Sequence, residues 1–191
     1  MHKLINKIFV SSDDINILNI AKNYNVELIK RPKKLATDKS PEILSWKHAI
    51  KFVDRLSLDF DKMLILPTTS PLRNSSDVTK ALNLLNNKND IVITVCESIK
   101  NPWFNMVKKN KNNFYEIVNK QNTKPYSRRQ DVPKVYDITT VCYVSKPEYI
   151  KRCNSLFDGK VSAYKIPRER SIDIDTKLEF DIAEYLLKKN Q

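Results

Sequence analysis

Arg170-Ser171-Ile172-Asp173-Ile174-Asp175-Thr176, close to the C-terminus, carries most of the information in this sequence, together with Leu66-Pro67-Thr68-Thr69-Ser70-Pro71-Leu72-Arg73 in mid-chain. A strand alternates its faces, so Ile172 and Ile174 are expected in a core, with Asp173 and Asp175 about 7 Å apart on the other face. Thr176 followed by Glu179 is a capping-box pattern, which puts the two acids where a strand hands over to a helix. Phe180, Ala183 and Leu187, flanked by Ile182 and Leu186, form the apolar stripe of that helix. Ligands of open α/β sheets gather at such strand ends. A bare Asp-x-Asp is more often two solvated acids, but in this setting the pair suits Mg²⁺, which takes one or two carboxylates together with substrate phosphate.

Outward from that stretch, strand-like runs fall at residues 7–11, 26–30, 62–66, 91–96, 139–144 and 161–166. Helical patterns lie between them at 13–24, with Ile17, Ile20, Ala21 and Tyr24 on one face, and at 41–55, 74–85 and 176–189. Strands alternating with helices predict an α/β fold with a mostly parallel sheet. Residues 100–136 break the rhythm with Pro102, Pro125 and Pro133 among Trp103, Phe104, Phe114, Tyr115 and Tyr126. They read as hairpins and loops inserted into the sheet. At 191 residues and 41% hydrophobic content, one domain over residues 1–191 is expected.

The net charge of +12 raises the question of nucleic-acid binding. The lysines, however, are spread along the whole chain among asparagines, as in Lys108-Lys109-Asn110-Lys111-Asn112-Asn113, so no nucleic-acid partner is expected. A basic surface also favours the approach of anionic small molecules. No apolar run approaches the roughly 20 residues that span a bilayer, and the first seven residues lack a signal peptide's apolar stretch. A cytoplasmic protein without membrane contact is expected. Cys96, Cys142 and Cys153 lack metal spacing and read as small buried hydrophobes. His48 reads as a helix-surface residue, and Gly159, the single glycine, as part of a tight turn.

From about Lys7 to the C-terminus the chain resembles the cytidylyltransferases that activate nine-carbon sugar acids, typified by CMP-N-acetylneuraminate synthetase. Five blocks in order carry the resemblance: Lys7-Ile8-Phe9-Val10-Ser11-Ser12-Asp13-Asp14, Arg31-Pro32 with Leu35-Ala36-Thr37-Asp38, Thr69-Ser70-Pro71-Leu72-Arg73, Arg129-Gln130-Asp131-Val132-Pro133, and Ser171-Ile172-Asp173-Ile174-Asp175-Thr176. The resemblance implies a three-layer, Rossmann-like nucleotidyltransferase sheet with residues 100–136 as a dimerisation insertion, and hence a homodimer. It also implies transfer of CMP from CTP to a nine-carbon 2-keto sugar acid with release of pyrophosphate. Asp173 and Asp175 would be the catalytic pair that holds Mg²⁺. Arg31, Ala36, Asp38, Ser40, Glu42, Thr69 and Ser70 would meet the nucleotide, and Arg73, Arg129 and Tyr143 the sugar acid. A guanidinium fork such as that of Arg129 suits a carboxylate, and a plain basic turn beside Arg128 is the rival reading. Arg73 reads as a contact or as a bridge beside the helix that starts after Asn74. No residue stands out as a general base.

Two departures bear on function. The family opens with a strand and a glycine- and lysine-bearing loop for the triphosphate, and backbone cradles of that kind rely on glycine. Here Met1 is followed almost at once by the family's second strand, so about 30 residues of strand, loop and helix have no counterpart. Little or no turnover by the chain alone is expected. Thr139-Thr140-Val141-Cys142-Tyr143 stands where the sialate enzymes carry Asn-Gly-Ala-x-Tyr, so sialic, legionaminic, pseudaminic and Kdo-like acids all fit. The rival readings are a pseudoenzyme or partner subunit, and a glycosyltransferase of the Asp-x-Asp type.

Overall fold

The computed structural model describes residues 4–120 and 126–189. In chain order the elements are β1 (Phe9–Ser12), α1 (Ile15–Ala21), β2 (Glu27–Lys30), α2 (Glu42–Arg55), β3 (Met63–Ile65), α3 (Ser75–Leu84), β4 (Ile91–Glu97), β5 (Val107–Lys109), β6 (Tyr115–Ile117), β7 (Tyr136–Ser145), α4 (Pro147–Arg152), β8 (Val161–Lys165) and α5 (Lys177–Lys189).

The continuous apolar run of β4 is buried from Ile91 to Cys96, as a strand with neighbours on both sides and helices on both faces must be. Its alternation sorts the layers. Ile91, Ile93 and Val95 pack with Ile43, Trp46 and Ile50 of α2, while Val92 packs with Val78, Ala81 and Leu82 of α3. The main sheet has the order β3-β7-β4-β8, and β1 pairs in parallel with β2 in a separate two-stranded sheet. The expected α/β three-layer architecture is present, in two sheets.

The expected mostly parallel sheet is present in β3, β4 and β8, which run the same way, and β7 alone is reversed, antiparallel to both β3 and β4. The reason is connectivity. Glu97 at the end of β4 pairs with Tyr136 at the start of β7, so the 100–136 excursion leaves and returns at one end of the sheet. With no helical crossover between them, the two strands must run in opposite directions. The excursion itself carries the β5–β6 hairpin, which exposes Val107, Phe114 and Tyr115. Its Pro125 lies outside the described residues.

The β4–β7 register jumps between Ile93↔Tyr143 and Thr94↔Thr139. Thr94, fully buried, bridges the irregularity. Its hydroxyl is 2.9 Å from the Cys142 carbonyl and 3.1 Å from the Cys142 amide, and it receives the Thr139 hydroxyl at 2.8 Å. Backbone groups that the ladder abandons are thereby paired inside the core.

Other expectations shift locally. Residues 171–174 belong to no strand and to no helix. In α5 only Ala183 is buried, and Phe180, Ile182 and Leu187 of its stripe are exposed. In α1 the buried residues are Leu18 and Ala21, while Ile17, Ile20 and Tyr24 face outward. His48 is half-buried rather than on the helix surface, and its Nδ1 has no partner. All three cysteines are buried. Gly159 lies in the expected turn, but its φ is not positive. A Cβ there would overlap Tyr149 Cε2, so close approach is what demands glycine.

Candidate active site

The site assembles where β1, β2 and β3 end. Arg31 directly follows β2, and its guanidinium donates to the Ser11 carbonyl at 2.7 Å and to the Ser45 hydroxyl at 3.3 Å. Ser45 in turn donates to the Leu35 carbonyl at 3.2 Å, which ties the loop after β2 to the first turns of α2. Glu42 opens α2. Although the residue as a whole is exposed, desolvation raises its carboxyl above the usual range, a hydrogen bond with Trp46 and the charge of Arg31 oppose that rise, and Asp173 adds to it.

Beyond β3, the chain Pro67-Thr68-Thr69-Ser70 is held by Arg73, which donates to the Ser70 carbonyl at 2.9 Å and also to the Pro67 carbonyl. Ser70 is buried, with its hydroxyl 2.5 Å from that of Thr140 in the irregular stretch of β7. Thr69 is half-buried, and its carbonyl accepts from the Ile174 amide at 2.9 Å.

That last bond docks the Asp-x-Asp segment onto the loop after β3, and a second anchor secures it. Arg170 grips Asp77 of α3 bidentately, Nε to Oδ2 at 2.9 Å and Nη2 to Oδ1 at 2.7 Å. Asp77 is fully buried and also completes a capping box with Asn74. Behind these anchors Asp173 is half-buried, with Oδ1 buried and unpartnered, whereas Asp175 is exposed. The capping-box pattern appears in one direction: the Glu179 carboxylate accepts from the Thr176 amide at 2.9 Å.

Electrostatics link these groups. Tyr143 packs on Trp46 with ring centroids 5.2 Å apart. Burial pushes its phenol up to about 12, with the charges of Glu42 and Asp173 adding to the shift. Asp173 also acts on the half-buried Arg73, whose pKa is lowered by burial first. The fold therefore brings Arg31, Glu42, Arg73, Tyr143 and Asp173 into one charged neighbourhood. Ala36 and Asp38 are exposed on the loop before α2. Arg129 sits in a short 3-10 turn, donates to the Ile99 carbonyl at 2.8 Å, and acts electrostatically on Glu97 at the end of β4. No contact joins it to Asp173.

Of the five buried side-chain polar atoms without a partner among the described residues, four are Ser11 Oγ, Arg31 Nε, Ser40 Oγ and Asp173 Oδ1. Native interiors pair nearly all such atoms, so this concentration marks a place prepared for a polar ligand. An orphaned carboxylate oxygen fits a hard cation. The described residues contain no cluster of three or more metal-ligating side chains, but Mg²⁺ bound largely by substrate phosphate and water needs none.

Arg170, Asp77, Trp46 and Thr140 were not singled out by sequence reasoning. Arg170 stood in the quoted stretch, but its partner lies 93 residues away and no local pattern announces it.

Residues 2–189 match the cytidylyltransferase family model, and the chain belongs to that family. It is 30% identical over 190 residues to post-translational flagellin modification protein B of Campylobacter coli, covering 98% of this chain and 79% of that relative. To CMP-N,N'-diacetyllegionaminic acid synthase of Campylobacter jejuni it is 29% identical over 188 residues, covering 97% and 78%. Among solved structures it is similar to CMP:2-keto-3-deoxy-manno-octonic acid synthetase complexed with CTP, with a TM-score of 0.64 over 98% of this chain and 83% of that one. At 10% identity this last likeness shows a shared nucleotidyltransferase fold. No helix among the described residues is long and apolar enough to cross a membrane.

Proposed function

We propose that this cytidylyltransferase acts in the transfer of CMP from CTP to a nine-carbon 2-keto sugar acid. The anomeric oxygen bonds to the α-phosphorus, the bond to the β-phosphate bridge breaks, and pyrophosphate leaves. The observation that carries the reading is the set of unpartnered polar atoms on Ser11, Arg31, Ser40 and Asp173, of which the Arg31 and Asp173 charges both act on Glu42. The relative of C. jejuni, named for a CMP-activated legionaminic acid, supplies the substrate class.

Asp173 and Asp175 are the residues to hold Mg²⁺, which when bound neutralises phosphate charge and so lowers the barrier to attack. Arg31, braced by Ser11 and Ser45, is fixed in orientation and presents its unpartnered Nε–H to an anionic acceptor. Tyr143 stays protonated at neutral pH and can donate to a sugar oxygen. Arg73 keeps its charge but spends its donors on the Pro67 and Ser70 carbonyls, so it shapes the loop that faces the nucleotide. Arg129 lies toward the outer end of β4, where its guanidinium serves the acid's carboxylate only if the sugar reaches that far. The reading makes the protein cytoplasmic, where CTP is at hand.

The test is CTP binding by calorimetry with and without Mg²⁺. Asp173→Asn is expected to weaken Mg²⁺-dependent binding by about tenfold or more, the worth of one charge-assisted contact. Binding that ignores both Mg²⁺ and Asp173 would overturn the assignment. The exposed aromatics of the β5–β6 hairpin fit a homodimer contact, since burying them would remove a costly patch. Sedimentation should then show dimers that Phe114→Ser with Tyr115→Ser converts to monomers.

A further inference from the structure

A change of register in the middle of the main sheet ends at the candidate site. One step along β4, from Ile93 to Thr94, spans four along β7, from Tyr143 back to Thr139, so Thr140, Val141 and Cys142 lie outside the β4 ladder. β3 meets β7 only from Tyr143 to Ser145 and adds no strand partner for them. A shift by an odd number of residues exchanges the faces of a strand. Tyr143 accordingly sits with Ile93 in the α2 layer, whereas Thr139 pairs with Thr94, on the α3 side that Val92 occupies. The Thr94 hydroxyl closes the bulge, within reach of the Cys142 carbonyl and amide and of the Thr139 carbonyl at 3.2 Å. Bulges of this kind occur beside active sites, where they re-aim a side chain.

The side chain re-aimed here is Thr140. Val141 and Cys142 are fully buried, and Thr140 is the half-buried member of the bulge. Its hydroxyl lies 2.5 Å from that of Ser70, which is itself buried. Ser70 belongs to the loop after β3, and the neighbouring Thr69 carbonyl accepts from the Ile174 amide at 2.9 Å. Asp173, with its buried and unpartnered oxygen, is the residue before Ile174. Arg73 braces the same loop through the Pro67 and Ser70 carbonyls. Its pKa is lowered first by burial, with Cys142 of the bulge and Asp173 both opposing the shift, so the bulge and the Asp-x-Asp segment flank one guanidinium.

We propose that Thr140 is a positioning residue for Asp173, and that the bulge closed by Thr94 is what delivers its hydroxyl to Ser70. The Arg73 bonds run within the loop and fix its shape, but they do not fix where the loop stands against the sheet. The Ser70–Thr140 bond does, and a hydroxyl pair at 2.5 Å is short and directional. Without the Thr140 hydroxyl the buried Ser70 hydroxyl loses its partner, and a buried polar group left unpaired carries its full desolvation cost. The loop then moves to find another partner, the Thr69 carbonyl moves with it, and the Ile174 amide that it holds carries Asp173 along. This inference rests on the reading of Asp173 as a residue of the Mg²⁺-dependent site.

The test compares the full chain with Thr140→Val, which keeps the branched shape without the hydroxyl, and with Thr140→Ser, which keeps the hydroxyl. Amide exchange at Ile174 is expected to quicken in Thr140→Val by about tenfold or more over any change at Val92 and Val144, and to stay near the parent rate in Thr140→Ser. Thr94→Val should quicken Ile174 as well, and adding it to Thr140→Val should bring little more, because the two act through one bond. CTP affinity should fall about tenfold in Thr140→Val with Mg²⁺ present and hold its value without Mg²⁺. An Ile174 amide that ignores the lost hydroxyl, or that quickens only in step with Val92 and Val144, would overturn the proposal. So would a serine variant that behaves like the valine one, or CTP binding weakened equally with and without Mg²⁺. A parent chain that binds no CTP would count against the nucleotide reading instead, and the Ile174 amide would still decide the coupling.

Discussion

Asp158 and Gly159 show how much a surface turn can depend on single atoms. The Asp158 carboxylate accepts from the Asn154 amide at 2.7 Å and the Ser155 amide at 2.9 Å, and these bonds hold its pKa below the ordinary 3.8. A depressed carboxylate contributes stability above its unfolded pKa, and the contribution is lost as pH falls through the folded one. Asp158→Asn should therefore melt below the parent at neutral pH, and the gap should close below pH 3.8, as thermal scans across pH would show. A gap independent of pH would mean that charge is not the cause. One position on, the Tyr149 ring leaves no room for a Cβ, because that ring is itself fixed by a 2.8 Å bond from its hydroxyl to the Leu156 carbonyl. The sequence marked the turn correctly, while the neighbour that demands glycine lies ten residues back.

Among the elements, the segment between β8 and α5 is the one whose position matters most to the site. It has no ladder of its own, so its placement rests on the Ile174 amide and on the Arg170–Asp77 pair. Arg170→Ala would leave a fully buried carboxylate without its partner, and such losses cost about 3 to 5 kcal/mol. Because Arg170 is itself partly exposed, the lower end is expected, read as a reduced urea midpoint at unchanged slope. A loss under about 0.5 kcal/mol would show that solvent replaces the pair without penalty. The segment also shows why period-two alternation is an incomplete guide. Ile172 and Ile174 alternate with Asp173 and Asp175 as expected of a strand, yet the segment enters no ladder and meets the loop after β3 through one backbone bond, from Ile174 to Thr69.

Taken as one body, the protein should not be uniformly stable. β4 lies between two partners under helices on both faces, whereas β1 and β2 have only each other as strand partners, with α1 and the Phe52 ring of α2 alongside, and isolated strand pairs are marginal in water. Amide exchange at Val92 and Val144 should thus be slower than at Val10 and Ile29 by on the order of 100-fold, since local openings cost far less than global unfolding. Equal protection would mean that the two sheets open as a single unit. The distribution of exposed apolar side chains points the same way: Ile8, Ile17, Ile20 and Tyr24 cluster about the smaller sheet.

Some of this was legible along the chain because it depends on near neighbours. The apolar run of β4, the helix beginning after Asn74 and the order of the site blocks are set by spacing within a few residues, and they appear where spacing put them. The direction of β7 was not legible, since alternation reads the same in a parallel and an antiparallel strand. What reversed it was the return of the excursion to the end of the sheet it had left. The partner of Arg170, the clash reserved at Gly159 and the unpartnered atoms of Ser11, Arg31, Ser40 and Asp173 likewise arose only when distant segments met. Burial and pairing belong to that meeting: a side chain has a desolvation cost and a hydrogen-bond deficit only once the groups around it are in place.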